Sequence, residues 1–187
     1  MSDFSRIRRQ QLLREAEGYL ELTTVLADQF PLSVERRDIL ANRALEILSR
    51  VESSGSNKAH ALYLSGQCFR TMERYHEAIE PLKQSADLDG ENTHVWLALG
   101  WCYKRIGRLD LAIQALEEAM TVDNDEAIIH YNLACYWSLT GNVKLAVMYL
   151  SQAFELDPNY RDLVSREADF NPIRKHPHFL ALTSVIV

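Results

Sequence analysis

Apolar and polar positions between residues 59 and 160 follow a fixed period. In the middle of that stretch Trp96, Leu99, Gly100 and Tyr103 fall at i, i+3, i+4 and i+7. That spacing marks one face of a helix. After Gly107, the residues Leu109, Ala112, Ile113, Leu116 and Ala119 give a second amphipathic helix. The pattern returns 34 residues away on either side: Gly66, Gly100 and Ala134; Phe69, Tyr103 and Trp137; Ala78, Ala112 and Ala146. Leu82, Leu116 and Leu150 share it, as do Asp89, Asp123 and Asp157. A period of this length predicts stacked helix pairs, each too small to bury its own apolar face.

The small residue at 66, 100 and 134 has a packing reason: two antiparallel helices approach closely where a side chain is short. The alanine at 78, 112 and 146 is its expected partner on the second helix. Gly107 and Gly141 fall at the turn, where a helix end accepts left-handed backbone. The first unit carries Glu73 there. Pro81 lies inside the second helix of that unit and is expected to bend it. Asp157-Pro158 ends the third unit.

These residues resemble the tetratricopeptide repeat, a 34-residue helix–turn–helix. With repeat position 1 at Ala59, Thr93 and Ala127, three units match in one register without a gap, over 102 residues. The middle unit matches at Trp96, Leu99, Gly100, Tyr103, Gly107, Ala112, Leu116 and Ala119. The third departs at His130, where a large apolar residue is usual. The first departs at Ser65 and Ser85, where leucine and alanine are usual. The resemblance implies an all-α, right-handed α-solenoid forming a single domain. Its expected parts are a degenerate N-terminal hairpin (5–52), repeats at 59–92, 93–126 and 127–160, and a C-terminal cap (161–187).

In the hairpin, a first helix is expected from Arg6 to Asp28, with Ala16, Tyr19, Leu20 and Leu26 on its apolar side and Gly18 as its small packing residue. Ala44, Leu48 and Val51 fall on core positions of the second helix, and Ser33 suits its N-cap. Loops are expected near Phe30–Ser33 and at Ser53–Asn57. After Pro158 the period stops. Asn159–Arg166 reads as a short polar-faced helix, 169–177 as an irregular link, and His178–Ile186 as a last helix with Phe179, Leu182 and Ile186 inward.

Composition narrows the function. The chain has 187 residues, 47% hydrophobic and 25% charged, with seven glycines and five prolines. Those are ordinary proportions for a soluble, helical chain. A net charge of −6 disfavours a nucleic-acid partner. No stretch approaches 18 consecutive apolar residues, so no membrane span is expected, and the start lacks the apolar run of a signal peptide. Cys68, Cys102 and Cys135 suit a reducing compartment, and a cytoplasmic location is expected.

The resemblance implies a concave groove lined by repeat positions 2, 5, 9, 12 and 13, and position 6 adds Asn132. The groove candidates are Tyr63, Gln67 and Arg70; Leu97, Trp101 and Lys104; Tyr131, Asn132, Cys135 and Ser138. Trp101 lies five residues beyond Trp96, so it points about 140° away from the core face. It either wedges between helices or stands as an aromatic anchor in the groove, where its burial against a partner contributes on the order of 2 kcal/mol. Arg70, Lys104 and Arg105 fall at helix C-termini, which favour cations in any case; the alternative is contact with acidic groups on a peptide. The lysine and asparagine by which one subset of the family grips a terminal carboxylate are replaced by Tyr63 and Gln67, and chaperone-tail binding is not expected.

Chemistry of other kinds finds little support. His60 and His94 share repeat position 2, and stacked helices stand about 8–10 Å apart, too far to share a metal. His176 and His178 have no ligand cluster nearby in sequence, so no metal or cofactor is expected. The cysteines read as small core side chains, with Cys135 mapping to the groove. No phosphate loop or nucleophile motif is present, and an enzyme is not expected. The reading is a protein–protein interaction module or scaffold that takes a partner's peptide segment in its groove. Two alternatives stay open: a secretion-type or assembly chaperone holding an unfolded client, and a self-associating structural subunit.

Overall fold

The computed structural model describes residues 3–24, 31–51 and 56–184. Leu26, Asp28, Phe30, residues 53–55 of the second expected loop and Ile186 lie outside them, while Ser56 and Asn57, expected in that loop, open a helix. The described residues form helices and turns only: α1 (Asp3–Glu21), α2 (Val34–Leu48), α3 (Ser56–Thr71), α4 (Tyr75–Leu88), α5 (Thr93–Arg105), α6 (Leu109–Val122), α7 (Ala127–Leu139), α8 (Val143–Leu156), α9 (Tyr160–Val164) and α10 (Pro177–Thr183). A 3-10 turn at Ala168–Phe170 precedes α10. The chain divides into two compact units, Met1–Cys102 and Tyr103–Val187.

In the first unit, α1 packs on α2, α2 on α3, and α3 on α4. Leu13 and Ala16 of α1, Ala41, Ala44, Ile47 and Leu48 of α2, and Leu64 and Cys68 of α3 form one buried cluster. Val51 joins it, so the three core positions expected around α2 are all buried. Ser33 caps α2 by accepting from the Arg36 N–H at 3.4 Å.

Two expectations for α1 are corrected. The helix ends at Glu21, short of Asp28. The Thr23 hydroxyl donates to the Leu20 carbonyl at 2.6 Å and the Thr24 hydroxyl to that of Glu21 at 3.1 Å, satisfying acceptors that a continuing helix would have used. Gly18 is not a close-packing position, because a Cβ there would meet no atom within 4 Å; Ala16 is the fully buried small residue.

Gly66 does mark a close helix crossing. Its neighbour is Leu82 of α4 and not the expected Ala78: a Cβ on residue 66 would sit 2.5 Å from Leu82 Cγ. Leu82 is fully buried, which stabilises the crossing by about 1.5–3 kcal/mol. The α4 helix runs unbroken through Pro81. Gly107 and Gly141 adopt φ of 79° and 78°, and Glu73 takes the same left-handed turn with φ 59°.

The departures from the repeat pattern have structural reasons. Ser85 is buried and its hydroxyl donates to the Ala59 carbonyl at 2.8 Å, so the extra oxygen is satisfied. Trp96 Nε1 donates to the Gly90 carbonyl six residues upstream at 2.8 Å. One repeat later His130 Nε2 donates to the Asn124 carbonyl, again six residues upstream, at 2.7 Å. Histidine at this position thus makes the same kind of bond to a loop carbonyl as the indole one repeat earlier.

In the second unit, α7 packs on both α6 and α8, and α10 packs on α8. Residues 160–179 fold back onto the unit through Val164, Phe170, Ile173 and Phe179, all buried. The short helix α9 is therefore not merely polar-faced: Val164 points in, and Arg161 stacks over the Phe154 ring at 4.4 Å. The last helix begins at Pro177, with His176 capping it by accepting from the His178 N–H at 3.3 Å.

Candidate functional site

Helices α3 and α5 carry the groove candidates of the first unit. Tyr63, Gln67 and Arg70 share one face of α3, spaced four and three residues apart. With Trp101 of α5 they meet the turn after α1 and the start of α2. Gln67, Arg70, Thr71 and Trp101 line an open cleft of about 350 Å³ together with Thr23, Thr24, Arg37, Glu73 and Tyr75. A second hollow of about 290 Å³, which shares Thr23, Thr24, Gln67 and Thr71 with the first, brings in Tyr63, Leu64, Glu17, Leu20 and Glu21.

Trp101 is 38% exposed. It is therefore not sealed in the interior. Arg70 Nη1 donates to Gln67 Oε1 at 2.6 Å, while its Nε is buried and makes no hydrogen bond among the described residues. Arg37 Nη1 reaches Glu73 Oε1 at 3.2 Å. The cleft therefore holds two cations, one of them bonded to a carboxylate and the other to a neutral amide. His60, at the edge of this face, meets Glu17 Oε1 at 2.6 Å. Leu97 is half-buried on α5.

The candidates on the second unit are placed differently. Tyr131, Cys135 and Ser138 are buried, and the chain's own C-terminal segment covers them. Ser138 Oγ donates to the main-chain carbonyl of Asp169 at 2.7 Å. Lys104 Nζ pairs with the Asp169 carboxylate. The Tyr131 ring lies 4.8 Å from Tyr160 and meets Phe170 edge-on at 5.7 Å. Phe170 in turn packs on Phe179 at 5.4 Å. Asn132 is half-buried. This face of α7 is thus occupied from within the chain.

Burial sets the chemistry of the thiols. It pushes Cys68 up to about 12 and Cys102 up to about 11, outweighing the nearby Arg70 charge. Cys135 is raised well above the ordinary thiol range by burial and then by Glu167 and Asp169. Cys135 Sγ and carboxylate oxygens of Glu167 and Asp169 lie within 4.8 Å of one another. The Lys104 ammonium neutralises Asp169 there, and the thiol is held protonated, which is the wrong form for a metal ligand. Protonated thiols are also poor nucleophiles.

Sequence reading missed Thr23, Thr24, Arg37 and Tyr75 in the cleft, and Tyr160, Asp169 and Phe170 over α7. The paired threonines after Leu22 and the aromatic residue in an otherwise irregular link were the available signals.

Comparison with known proteins places this architecture. Residues 127–160, the third repeat, match the tetratricopeptide-repeat family model. Residues 38–119 match the model described as anaphase-promoting complex, cyclosome, subunit 3. No curated protein matches the chain in sequence. Among solved structures, one of MamA has a TM-score of 0.60 at 21% identity, covering 87% of this chain and 99% of its own. YrrB, described as a TPR protein with an unusual peptide-binding site, has a TM-score of 0.58 at 18% identity and covers 81% of this chain and 73% of its own. The type III secretion translocator chaperone SycD of Yersinia enterocolitica has a TM-score of 0.56 at 25% identity, covering 65% of this chain and 94% of its own. Helices alone among the described residues, repeated at a fixed interval, define an all-α helical-repeat protein of the solenoid class. The chain belongs to the tetratricopeptide-repeat proteins.

Proposed function

We propose that the protein is a non-enzymatic interaction module that takes an extended segment of a partner protein on the face made by α3, α5 and the turn after α1. The observation that carries this reading is the exposed Trp101 beside the cleft lined by Gln67, Arg70 and Thr71. A large rigid side chain left partly in water next to polar groups is the composition of an interface anchor. Tyr63 and Leu97 extend the apolar contact, and Gln67 and Arg70 fix register. Asn132 and Lys104 lie in the second unit, where Lys104 pairs with Asp169. The peptide-binding site named for YrrB supports the same use of the fold.

Among the described residues no helix is long and apolar enough to cross a membrane. With three free cysteines and a net charge of −6, a cytoplasmic protein partner suits the chain better than a nucleic acid or a lipid surface.

Affinity capture from a native lysate tests the reading. Trp101→Ala is expected to lose the captured partner while circular dichroism still shows a cooperatively folded helical chain. An unchanged set of captured proteins, or a collapse of folding, defeats the groove assignment. The likeness to SycD favours a second reading, a chaperone holding an unfolded client. Suppression of aggregation of unrelated unfolded proteins, independent of Trp101, would select it. A concentration-dependent mass in light scattering would instead select a self-associating subunit.

A further inference from the structure

The chain already binds one segment of itself on a repeat face, and that contact defines what the open face should accept. In the second unit the Asp169 carboxylate pairs with Lys104, and the following Phe170 ring meets Tyr131 edge-on at 5.7 Å. Cys135 lies beside the same acidic residue. In repeat register these are position 12 of one repeat and positions 5 and 9 of the next. Subtracting one period of 34 gives Arg70, Leu97 and Trp101. All three belong to the first unit. The register-equivalent site therefore has a cation at the same position, an apolar residue for the tyrosine, and an exposed indole in place of a buried thiol.

We infer that the open face of the first unit binds an acidic-aromatic segment of a partner protein, an aspartate or glutamate followed by phenylalanine or tyrosine. The carboxylate pairs with Arg70, and the aromatic ring packs on Leu97 and Trp101. This inference rests on the groove reading above and names its ligand class. Charge supports it. The Arg70 guanidinium is bonded to the neutral Gln67 amide, and its buried Nε makes no hydrogen bond among the described residues. A carboxylate on the open face would supply the counter-charge that the neutral amide does not. Glu73, the acid in the cleft, is engaged by Arg37 at 3.2 Å. The hydroxyls of Thr23, Thr24 and Thr71 supply polar contacts for an extended backbone. A purely apolar segment would leave the guanidinium desolvated without a counter-charge.

The probe is a fluorescein-labelled octapeptide with the sequence of residues 166–173, Arg-Glu-Ala-Asp-Phe-Asn-Pro-Ile, titrated with the full chain by fluorescence anisotropy. Saturable binding is expected. Arg70→Glu should weaken it at least about tenfold, and Arg70→Gln should weaken it several-fold if the acidic variant folds poorly, because a charge-assisted hydrogen bond is lost. A peptide with alanine for the aspartate should weaken about as much as Arg70→Gln, while Lys104→Ala should leave affinity within about twofold. A photoreactive benzophenone in place of the phenylalanine should cross-link to the 97–101 stretch. Binding lost on Lys104→Ala but kept on Arg70→Glu means that the peptide exchanges with the chain's own segment, and overturns the inference. Equal binding of the alanine peptide removes the acidic requirement while leaving the groove reading intact. Absence of saturable binding, with Trp101-dependent capture from lysate still present, also overturns the inference alone. Loss of both brings down the groove reading with it.

Discussion

Ser138 Oγ donates a 2.7 Å hydrogen bond to the main-chain carbonyl of Asp169, while the side chain of the same aspartate pairs with Lys104. One residue is thus fastened through both its backbone and its carboxylate. The pair with Lys104 is largely withdrawn from water, with side-chain exposures of 18% and 14%. Asp169→Ala removes the carboxylate paired with that ammonium and should cost about 1–3 kcal/mol. Ser138→Ala should cost about 1 kcal/mol. Urea denaturation measures both, and the double variant should lose less than the sum because the two bonds hold the same residue. A full sum would mean that they act independently.

Covering α7 should protect Cys135. In the folded chain all three thiols are buried, and iodoacetamide at about pH 8 should alkylate them slowly because burial suppresses the thiolate. Phe170→Ala is expected to speed alkylation of Cys135 while Cys68, in the other unit, stays slow. Mass spectrometry after a timed quench separates the sites. Equal acceleration at both cysteines would indicate general unfolding and not the lifting of a local cover.

The same thiols give a pH dependence. Cys68 and Cys102 rise from an ordinary 9.0 to about 12 and about 11 on folding. The folded state then holds protons that the unfolded state releases, so stability is full below pH 9.0 and declines as pH rises towards 11 and 12. The melting temperature should fall across that window. Replacing both residues with alanine should flatten the decline, and an unchanged slope would assign it to other groups.

Gly66→Ala should be destabilising by about 1–3 kcal/mol, because the new methyl meets the branch point of a core leucine. The clash is with Leu82 Cγ at 2.5 Å and Cδ2 at 2.6 Å. Leu82→Ala costs stability by itself, but in the Gly66→Ala background its cost should shrink. A double-mutant cycle reads the coupling, and strict additivity would place the contact elsewhere.

The three turns should respond unequally to alanine. Gly107 and Gly141 have φ of 79° and 78° with no atom within 4 Å of an added Cβ. Gly107→Ala should therefore cost about 1–2 kcal/mol from backbone strain alone. Glu73 carries that strain already, at φ 59°. Glu73→Ala loses only an exposed pair with Arg37 and should stay within about 1 kcal/mol of the parent. Thermal melts of the two variants suffice to compare them.

Most of the architecture was legible because its determinants are local and periodic. The crossing at Gly66, the turns at Gly107 and Gly141 and the buried alanines each depend on neighbours within one repeat. Two unusual residues, Ser85 and His130, looked like lapses, since their use depends on a hydrogen bond that the residue pattern does not display. The docking of Asp169 and Phe170 was not legible. It joins residues 31 and 65 positions apart, and nothing periodic links an irregular segment to a helix that far upstream. Gly18 misled because a glycine near a helix end resembles a packing glycine until its neighbours are seen. Repeat register put Tyr63, Gln67, Arg70 and Trp101 on neighbouring helices beside open hollows, but it carried no sign that Tyr131, Cys135 and Ser138 are buried under the chain's own later residues.

The indole of Trp96 and the imidazole of His130 each reach back six residues to a loop carbonyl. A tether of fixed span tolerates no added or missing residue between its ends. An insertion or deletion between residues 90 and 96, or between 124 and 130, would therefore break the bond that closes that span. The linkers that look most permissive in composition are the places where an insertion would be least forgiven.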